Sequence, residues 1–310
     1  MGIQTPNVTE PSIDPRTQIG MVSLMVTDLE RVLKFYTRVL GFMELMRTKH
    51  TVLVGSASGI PLIALSVPGT IQHRLENAAG LDHLGILVPS RLELARLLAH
   101  LREVNYPLEM VVDHMVNESL YLYDPEGNHL EIYRDRSPEE LRRQAGRAVP
   151  SRQLVNELLE AHQQSPKPWQ EVHPQTHIGH LLLRVVDLNQ AERFYHDVLG
   201  FDVTMHLPSA TFVSAGGYHH HLGMATWQSL RGPQAPLDAP GLQFFTIQLP
   251  HLEAVQAIIA RLQQASVPFA RQRTEITCFD PSHNGIALTY GTSGTLDEAQ
   301  QLVETFPDHE

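Results

Sequence analysis

Apolar and polar residues alternate through Val22, Leu24 and Val26, a period-two pattern that predicts a strand with one buried face. Asp28 follows, placed to cap the start of a helix. Val32, Phe35, Tyr36 and Val39 then recur at helical spacing, and Gly41 after Leu40 is a stop signal. Short strands come next, broken by turn residues at Asp124-Pro125-Glu126-Gly127-Asn128 and at Ala215-Gly216-Gly217. The order is strand, helix, three strands. Antiparallel sheet with helices on one face predicts an α+β architecture.

The same grammar returns along the chain. Ile19–Phe42 and Ile178–Phe201, offset by 159 residues, agree at 12 of 24 positions without a gap. Gly80–Pro89 matches Gly241–Pro250 at an offset of 161, and Asp124-Pro125-x-x-Asn128 returns as Asp280-Pro281-x-x-Asn284. Four βαβββ modules in two homologous halves, 18–135 and 176–292, follow from these repeats. Residues 136–175 break the pattern and predict a helical connector: Ser137-Pro138-Glu139-Glu140 starts a helix, Leu154, Leu158 and Leu159 mark an amphipathic stretch, and Pro166-Lys167-Pro168 ends it. Residues 1–17, with Pro6, Pro11 and Pro15 and no apolar run, are expected to be a disordered lead-in rather than a signal peptide. Residues 293–310 form a polar tail with one amphipathic stretch around Ala299–Phe306.

Composition narrows the chemistry. The formal charge of −11 argues against nucleic acid or an anionic membrane surface as the main partner, and no run of about 20 apolar residues is present to span a bilayer. A cytoplasmic location is the expectation. A single cysteine, Cys278, excludes an intramolecular disulfide framework and a thiolate zinc cluster. Eighteen histidines leave imidazole and carboxylate as the available metal ligands. Phosphate-loop and nucleophile-elbow motifs do not occur, and Gly216-Gly217 lacks the helix start an anion site needs.

The pattern strand, Asp-Leu, helix, Phe-Tyr-x-x-Val-Leu-Gly-Phe, with DPEGNHLEIY closing the second module, resembles the vicinal oxygen chelate superfamily. That superfamily includes glyoxalases, antibiotic-resistance binding proteins and extradiol ring-cleaving dioxygenases. Asp113-His114, Asn117–Leu122, Glu131–Arg136 and Ser214–Gly223 are similar to its two-domain, catechol 2,3-dioxygenase-like branch. The resemblance implies glyoxalase/extradiol dioxygenase-like cups, each built from two modules. It also implies that a module offers one ligand on its first strand and one on its last.

Carried over position by position, the first-strand sites are Met21, His83, His180 and Phe244. The last-strand sites are Glu131, Gly223 and Ala287, with no ligand type in module one. The resemblance therefore implies His83, Glu131 and His180 as metal ligands. Two histidines and one carboxylate form the facial set that leaves open positions for dioxygen and substrate, with Fe(II) the expected ion and Mn(II) the other that fits. His83 and Glu131 lie in one half and His180 in the other. Pairing modules one-with-two and three-with-four would split the three. Pairing two-with-three and one-with-four would unite them and leave Met21, Phe244 and Ala287 in a cup without ligands. The long connector permits the second arrangement, which is the one expected.

His219 and His221 are candidate acid–base groups, since strand alternation back from Gly223 puts His221 in the cup and His220 on the other face. Tyr133, two residues beyond Glu131, is a candidate hydrogen-bond donor to substrate. His129 is expected inward and His114 over the pocket, with His50, His73, His100, His162 and His251 at the surface. The resemblance implies an extradiol-type dioxygenase that takes a catechol- or hydroquinone-like aromatic and O2. A glyoxalase-type isomerase or lyase, and a non-catalytic aromatic- or antibiotic-binding protein, are the alternatives. The isomerase lacks a second carboxylate where Gly223 or Ala287 stands. Homo-oligomers formed across free sheet edges remain open.

Overall fold

The computed structural model describes residues 12–69, 73, 75–144, 146–236, 238–272, 275–291 and 295–306. Module one contains β1 (Gln18–Met25), α1 (Leu29–Lys34), β2 (Met43–Arg47), β3 (Thr51–Gly55) and β4 (Pro61–Ser66). Module two follows with β5 (Gly80–Leu87), α2 (Arg91–Glu103), β6 (Met110–Asp113), β7 (Asn117–Tyr123) and β8 (His129–Asp135). The connector holds α3 (Pro138–Gln144) and α4 (Ser151–Gln164). Module three has β9 (His177–Arg184), α5 (Leu188–Arg193), β10 (Asp202–Leu207), β11 (Ala210–Ser214) and β12 (Leu222–Ala225). Module four has β13 (Gly241–Leu249), α6 (Leu252–Gln264), β14 (Phe269–Gln272), β15 (Glu275–Phe279) and β16 (Gly285–Tyr290), and α7 (Leu296–Thr305) follows. Asp28 and Asp187 cap α1 and α5 by accepting the backbone N–H three residues on, each at 3.0 Å. Both helices then widen into a π turn over the repeated Phe-Tyr pair.

Two eight-stranded sheets result, and the α+β class expected from the pattern holds. One runs β14-β15-β16-β13-β1-β4-β3-β2 and the other β10-β11-β12-β9-β5-β8-β7-β6. Modules one and four thus share a sheet, as do modules two and three, each joined by an antiparallel central pair, β1 with β13 and β5 with β9. The halves of the sequence are therefore not the units of the structure: each cup takes one module from either half. One face of both sheets packs with the helices into a single apolar core that draws on all four modules. Two hydroxyl-to-carboxylate bonds tie consecutive modules across it. Tyr36 donates to Asp124 at 3.2 Å and Tyr195 to Asp280 at 3.0 Å, from repeat-equivalent positions.

The connector is fastened by burial and charge. Leu154 and Leu158 of α4 are fully buried, and α4 packs on α2 and β6. Beneath it, Glu118 accepts from Arg91 (2.8 Å), Arg134 (2.8 Å) and Arg136 (2.9 Å), while Asp113 pairs with Arg136 and accepts the Val149 N–H at 2.7 Å.

Two expectations about the ends change. Residues 1–11 lie outside the described residues, but 12–17 are anchored: Ile13 is buried and its N–H donates to the Gly200 carbonyl at 2.7 Å. The tail is also structural. Helix α7 lays Leu302 and Val303, with Phe306 just beyond it, against Met21, Phe244 and Ala287, entering the cup that lacks metal ligands. Phe306 stacks on Phe244 with centroids 4.3 Å apart and planes 11° from parallel. Among the described residues no helix is long and apolar enough to cross a membrane.

Candidate metal centre

The central β5–β9 pair brings the two histidines together. His83 on β5 and His180 on β9 lie across the antiparallel junction, and β8, parallel to β5, delivers Glu131 beside them. His83 Nε2 and His180 Nε2 are 3.2 Å apart. Glu131 Oε2 lies 3.2 Å from His83 Nε2 and 2.9 Å from His180 Nε2. Ligands held at about 2.0–2.2 Å and at right angles to one another stand about 3.0 Å apart, so these three atoms have the spacing of one face of an octahedron. The residues present fit a divalent ion. In the other cup, Met21, Phe244 and Ala287 hold the corresponding positions and offer no ligand atom, only the weak thioether of Met21.

Neighbours fix the three side chains. Ser119 donates to Glu131 Oε1 at 2.6 Å and leaves Oε2 to the histidines. His83 Nδ1 faces Asp82 Oδ1 at 3.5 Å, and Asp82 in turn accepts from the Trp227 indole at 3.1 Å. His180 is held by packing, since its Nδ1 has no hydrogen-bond partner among the described residues. Its ring lies on Gly85, where a Cβ would come within 2.5 Å of it, and is backed by Tyr133 (4.8 Å) and His220 (4.5 Å). Gly179 makes room for Tyr133 in the same way, a Cβ there falling 1.8 Å from the hydroxyl.

Burial works against charge on Glu131, but His180 and His83 outweigh it and hold the carboxyl well below its ordinary range. Burial likewise disfavours a charged His83, and Asp82 and Glu131 more than offset that, raising it to about 9. For His180 burial prevails over Glu131 and lowers it. The cluster thus concentrates negative charge around nitrogen donors, the electrostatics a cation requires.

Beyond the triad, one wall of the cup is apolar: Leu182, Ala210, Phe212 and Ala225. Gly223 lies against this wall, a Cβ there meeting Leu182 at 2.4 Å, so a glutamate has no place at that position. The opposite wall is aromatic and polar. Tyr121 pairs with Glu131 across β7 and β8, its hydroxyl lies 2.9 Å from His114 Nε2, and His129 stacks on Tyr123. Burial first, then the Glu131 charge, pushes the Tyr121 phenol well up, so it stays protonated and able to donate.

The histidine run departs from the expected alternation. It is His220, not His221, that faces the cup, with its ring against His180 and Phe212. His221 turns away: its Nδ1 accepts the Ala215 N–H at 3.1 Å, and burial, then His219, push it down to about 4. The reason is local. Strand β12 begins only at Leu222, so the period of two does not extend back through 219–221. His219 sits behind His220, 2.9 Å from it by the Nδ1 atoms, and its Nε2 lies 3.0 Å from Asp135 Oδ1. Tyr133 donates to Tyr218, which donates to Asp135 Oδ2, each at 2.9 Å. Asp135 therefore gathers both branches of a network that reaches the cup. Burial, then His180, pushes His220 well down and keeps it neutral. His100 and His162, expected at the surface, are half-buried, His100 stacked on Trp169.

The family model of the glyoxalase/bleomycin resistance protein/dioxygenase superfamily matches residues 18–132 and 177–288. Over 285 residues the chain is 37% identical to the catechol-2,3-dioxygenase of Bacillus subtilis (strain 168), a match covering 90% of this chain and 99% of that relative. Among solved structures it is similar to a Bacillus subtilis protein described as a candidate dioxygenase, with a TM-score of 0.65 and 14% identity over 95% of this chain and 91% of that one. It is also similar to glyoxalase I from Zea mays, with a TM-score of 0.56 and 14% identity over 92% and 95% of the two chains. At those identities the two solved structures speak to fold alone.

Proposed function

The chain belongs to the glyoxalase/bleomycin resistance protein/dioxygenase superfamily, and we propose that it is a metal-dependent, extradiol-type dioxygenase. Its substrate is a catechol- or hydroquinone-like aromatic, cleaved with O2. The observation that carries this reading is the facial set of His83, His180 and Glu131, one carboxylate and two imidazoles at cis spacing. The named relative, at 37% identity over nearly its whole length, supports the same class.

Fe(II) is the ion we assign, with Mn(II) able to use the same ligands. When bound, it supplies positive charge for the ionised substrate and the redox chemistry that dioxygen requires. The rest falls to the chain. Leu182 and Phe212 give the aromatic ring an apolar wall and exclude water from one side of it. Tyr121, held protonated, donates a hydrogen bond to a substrate oxygen. His220 is neutral, and its Nδ1 is engaged by His219, so Nε2 is the atom that accepts the substrate hydroxyl proton. His219 and Asp135 position that ring, and Tyr133 supports the face of His180. His221 has no part in this assignment.

Anaerobic reconstitution with Fe(II), followed by oxygen uptake with catechol, tests the reading. Uptake of one O2 per catechol, lost in His83→Ala, Glu131→Gln and His180→Ala, is expected. Metal binding without uptake, together with turnover of a hemithioacetal, would favour the isomerase. The absence of a carboxylate at Gly223 argues against that outcome.

A further inference from the structure

We propose that the second cup is a ligand site of its own, for a small neutral aromatic molecule carrying a hydroxyl or amide group. The inference does not depend on the dioxygenase reading, because this cup has none of the three metal ligands.

Helix α7 fills only part of the cup. Phe306 packs on Phe244, the position repeat-equivalent to His83, while Leu302 and Ala299 of α7 line a cavity of about 430 Å³ that also takes in Thr176 and His177 at the start of module three. That volume falls within the roughly 300–1,000 Å³ of small-molecule sites. Its composition is that of such a site. Met21, Leu62 and Leu302 supply apolar surface, while Thr246, Gln248 and Thr176 bring polar groups to the same space.

Two side-chain hydroxyls belong to residues of this lining. Thr176 is 3% exposed, lines the cavity, and its Oγ1 has no hydrogen-bond partner among the described residues. A buried hydroxyl left in that state is unfavourable, and a ligand group that pairs with it recovers the loss. Thr246 also lines the cavity, and its Oγ1 lies over Gly20, where a Cβ would fall 2.3 Å from it. Gly20 is the repeat partner of Gly179, which makes room for Tyr133 in the metal cup, so the same device places a hydroxyl in each cup.

Charge sets the ligand class. No lysine or arginine lines the cavity among the described residues, whereas Glu275 and Glu298 do. Glu298 is engaged in capping α7, accepting the Thr295 N–H at 2.6 Å. With two carboxylates and His177 in the lining and no lysine or arginine among the described residues, a neutral aromatic is favoured over a carboxylated one.

The test uses the full chain titrated calorimetrically at pH 7 with 2-naphthol, and with 2-naphthoate as the anionic comparison. Ala299→Trp on α7 and Ile60→Trp on the exposed loop each fill the cavity, and His83→Ala disables the metal cup. We expect 2-naphthol to bind with a Kd below about 1 mM and 2-naphthoate about tenfold more weakly. The His83→Ala protein should keep its affinity within about threefold, and each filler should lose about tenfold or more. No binding up to about 1 mM overturns the proposal, as does binding abolished by His83→Ala. A filler variant with native circular dichroism that still binds 2-naphthol at wild-type affinity overturns it as well.

Discussion

Replacing Gly85 by alanine adds one methyl group to the middle of β5, directly under His180. The new Cβ would stand 2.5 Å from Cε1 and 2.6 Å from Nδ1 and Nε2 of the ring, where carbon contacts settle at about 3.5–4.0 Å. Relief requires a displacement of about 1 Å. Strand β5 cannot supply it, being hydrogen-bonded between β8 and β9. The ring itself is 1% exposed, with Tyr133 and His220 behind it. If His180 ligates the ion as proposed, swinging the imidazole by that distance would carry its nitrogen beyond a coordinating range of about 2.1 Å and remove one ligand of three. Disturbing the groups that orient metal ligands lowers affinity by about 10–100-fold, and a 1 Å misplacement lowers rate by about 100-fold. We expect Fe(II) affinity, measured anaerobically against a chelator, to fall about 100-fold in Gly85→Ala, and catechol-dependent oxygen uptake to fall at least as far. The fold should survive, with stability reduced by about 1–3 kcal/mol in a urea titration. A Gly85→Ala protein that keeps metal affinity and activity within about threefold would refute the reasoning, because it would show that His180 is free to move or is not a ligand.

Other consequences are equally direct. Phe306→Ala removes a ring stacked on Phe244 and should destabilise the chain by about 2–4 kcal/mol in denaturant titration, while metal content stays at the wild-type value. Glu118 and Asp113 are buried, which favours protonation, but Arg134 and Arg91, and Arg136 respectively, hold both below their ordinary values of 4.5 and 3.8. A depressed carboxylate contributes stability above its unfolded value and loses it as pH falls through its folded value. The urea midpoint should therefore begin to fall below about pH 6.5, where unfolding lets the buried His180, His220 and His221 take up protons, and drop further below about pH 4 as the two carboxylates protonate, and Glu118→Gln should weaken the protein at pH 7 while flattening only the lower part of that drop. Burial, then Asp280, pushes the Cys278 thiol up to about 12, so iodoacetamide at pH 8 should label it only after unfolding.

Much of this was legible along the chain because it is periodic or repeated. The βαβββ order, the caps at Asp28 and Asp187 and the pairing of modules two and three could be inferred, the last because His83, Glu131 and His180 survive where Met21, Phe244 and Ala287 do not. Most of what escaped is decided between elements distant in sequence. Gly85 has no special backbone conformation, and its need for a bare Cα comes from the imidazole on β9. The exchange of His220 for His221 arises where a strand has not yet begun. The amphipathic stretch at Ala299–Phe306 carried a signal of burial but not of its partner, because the face that receives it is the cup left without ligands. Arg134 and Arg136 carry no periodic signal of their own, and their partners, Glu140 on α3 and Glu118 on β7, are brought to them only by the fold.

The central claim is that ligands from both halves of the sequence hold one iron in one cup. Anomalous diffraction at the iron edge, on crystals of the anaerobically reconstituted protein, tests it most directly. The account predicts one ion per chain, about 2.0–2.2 Å from His83 Nε2, His180 Nε2 and Glu131 Oε2. An ion bound away from any of these three atoms, or a second ion beside Met21 and Phe244, would contradict it.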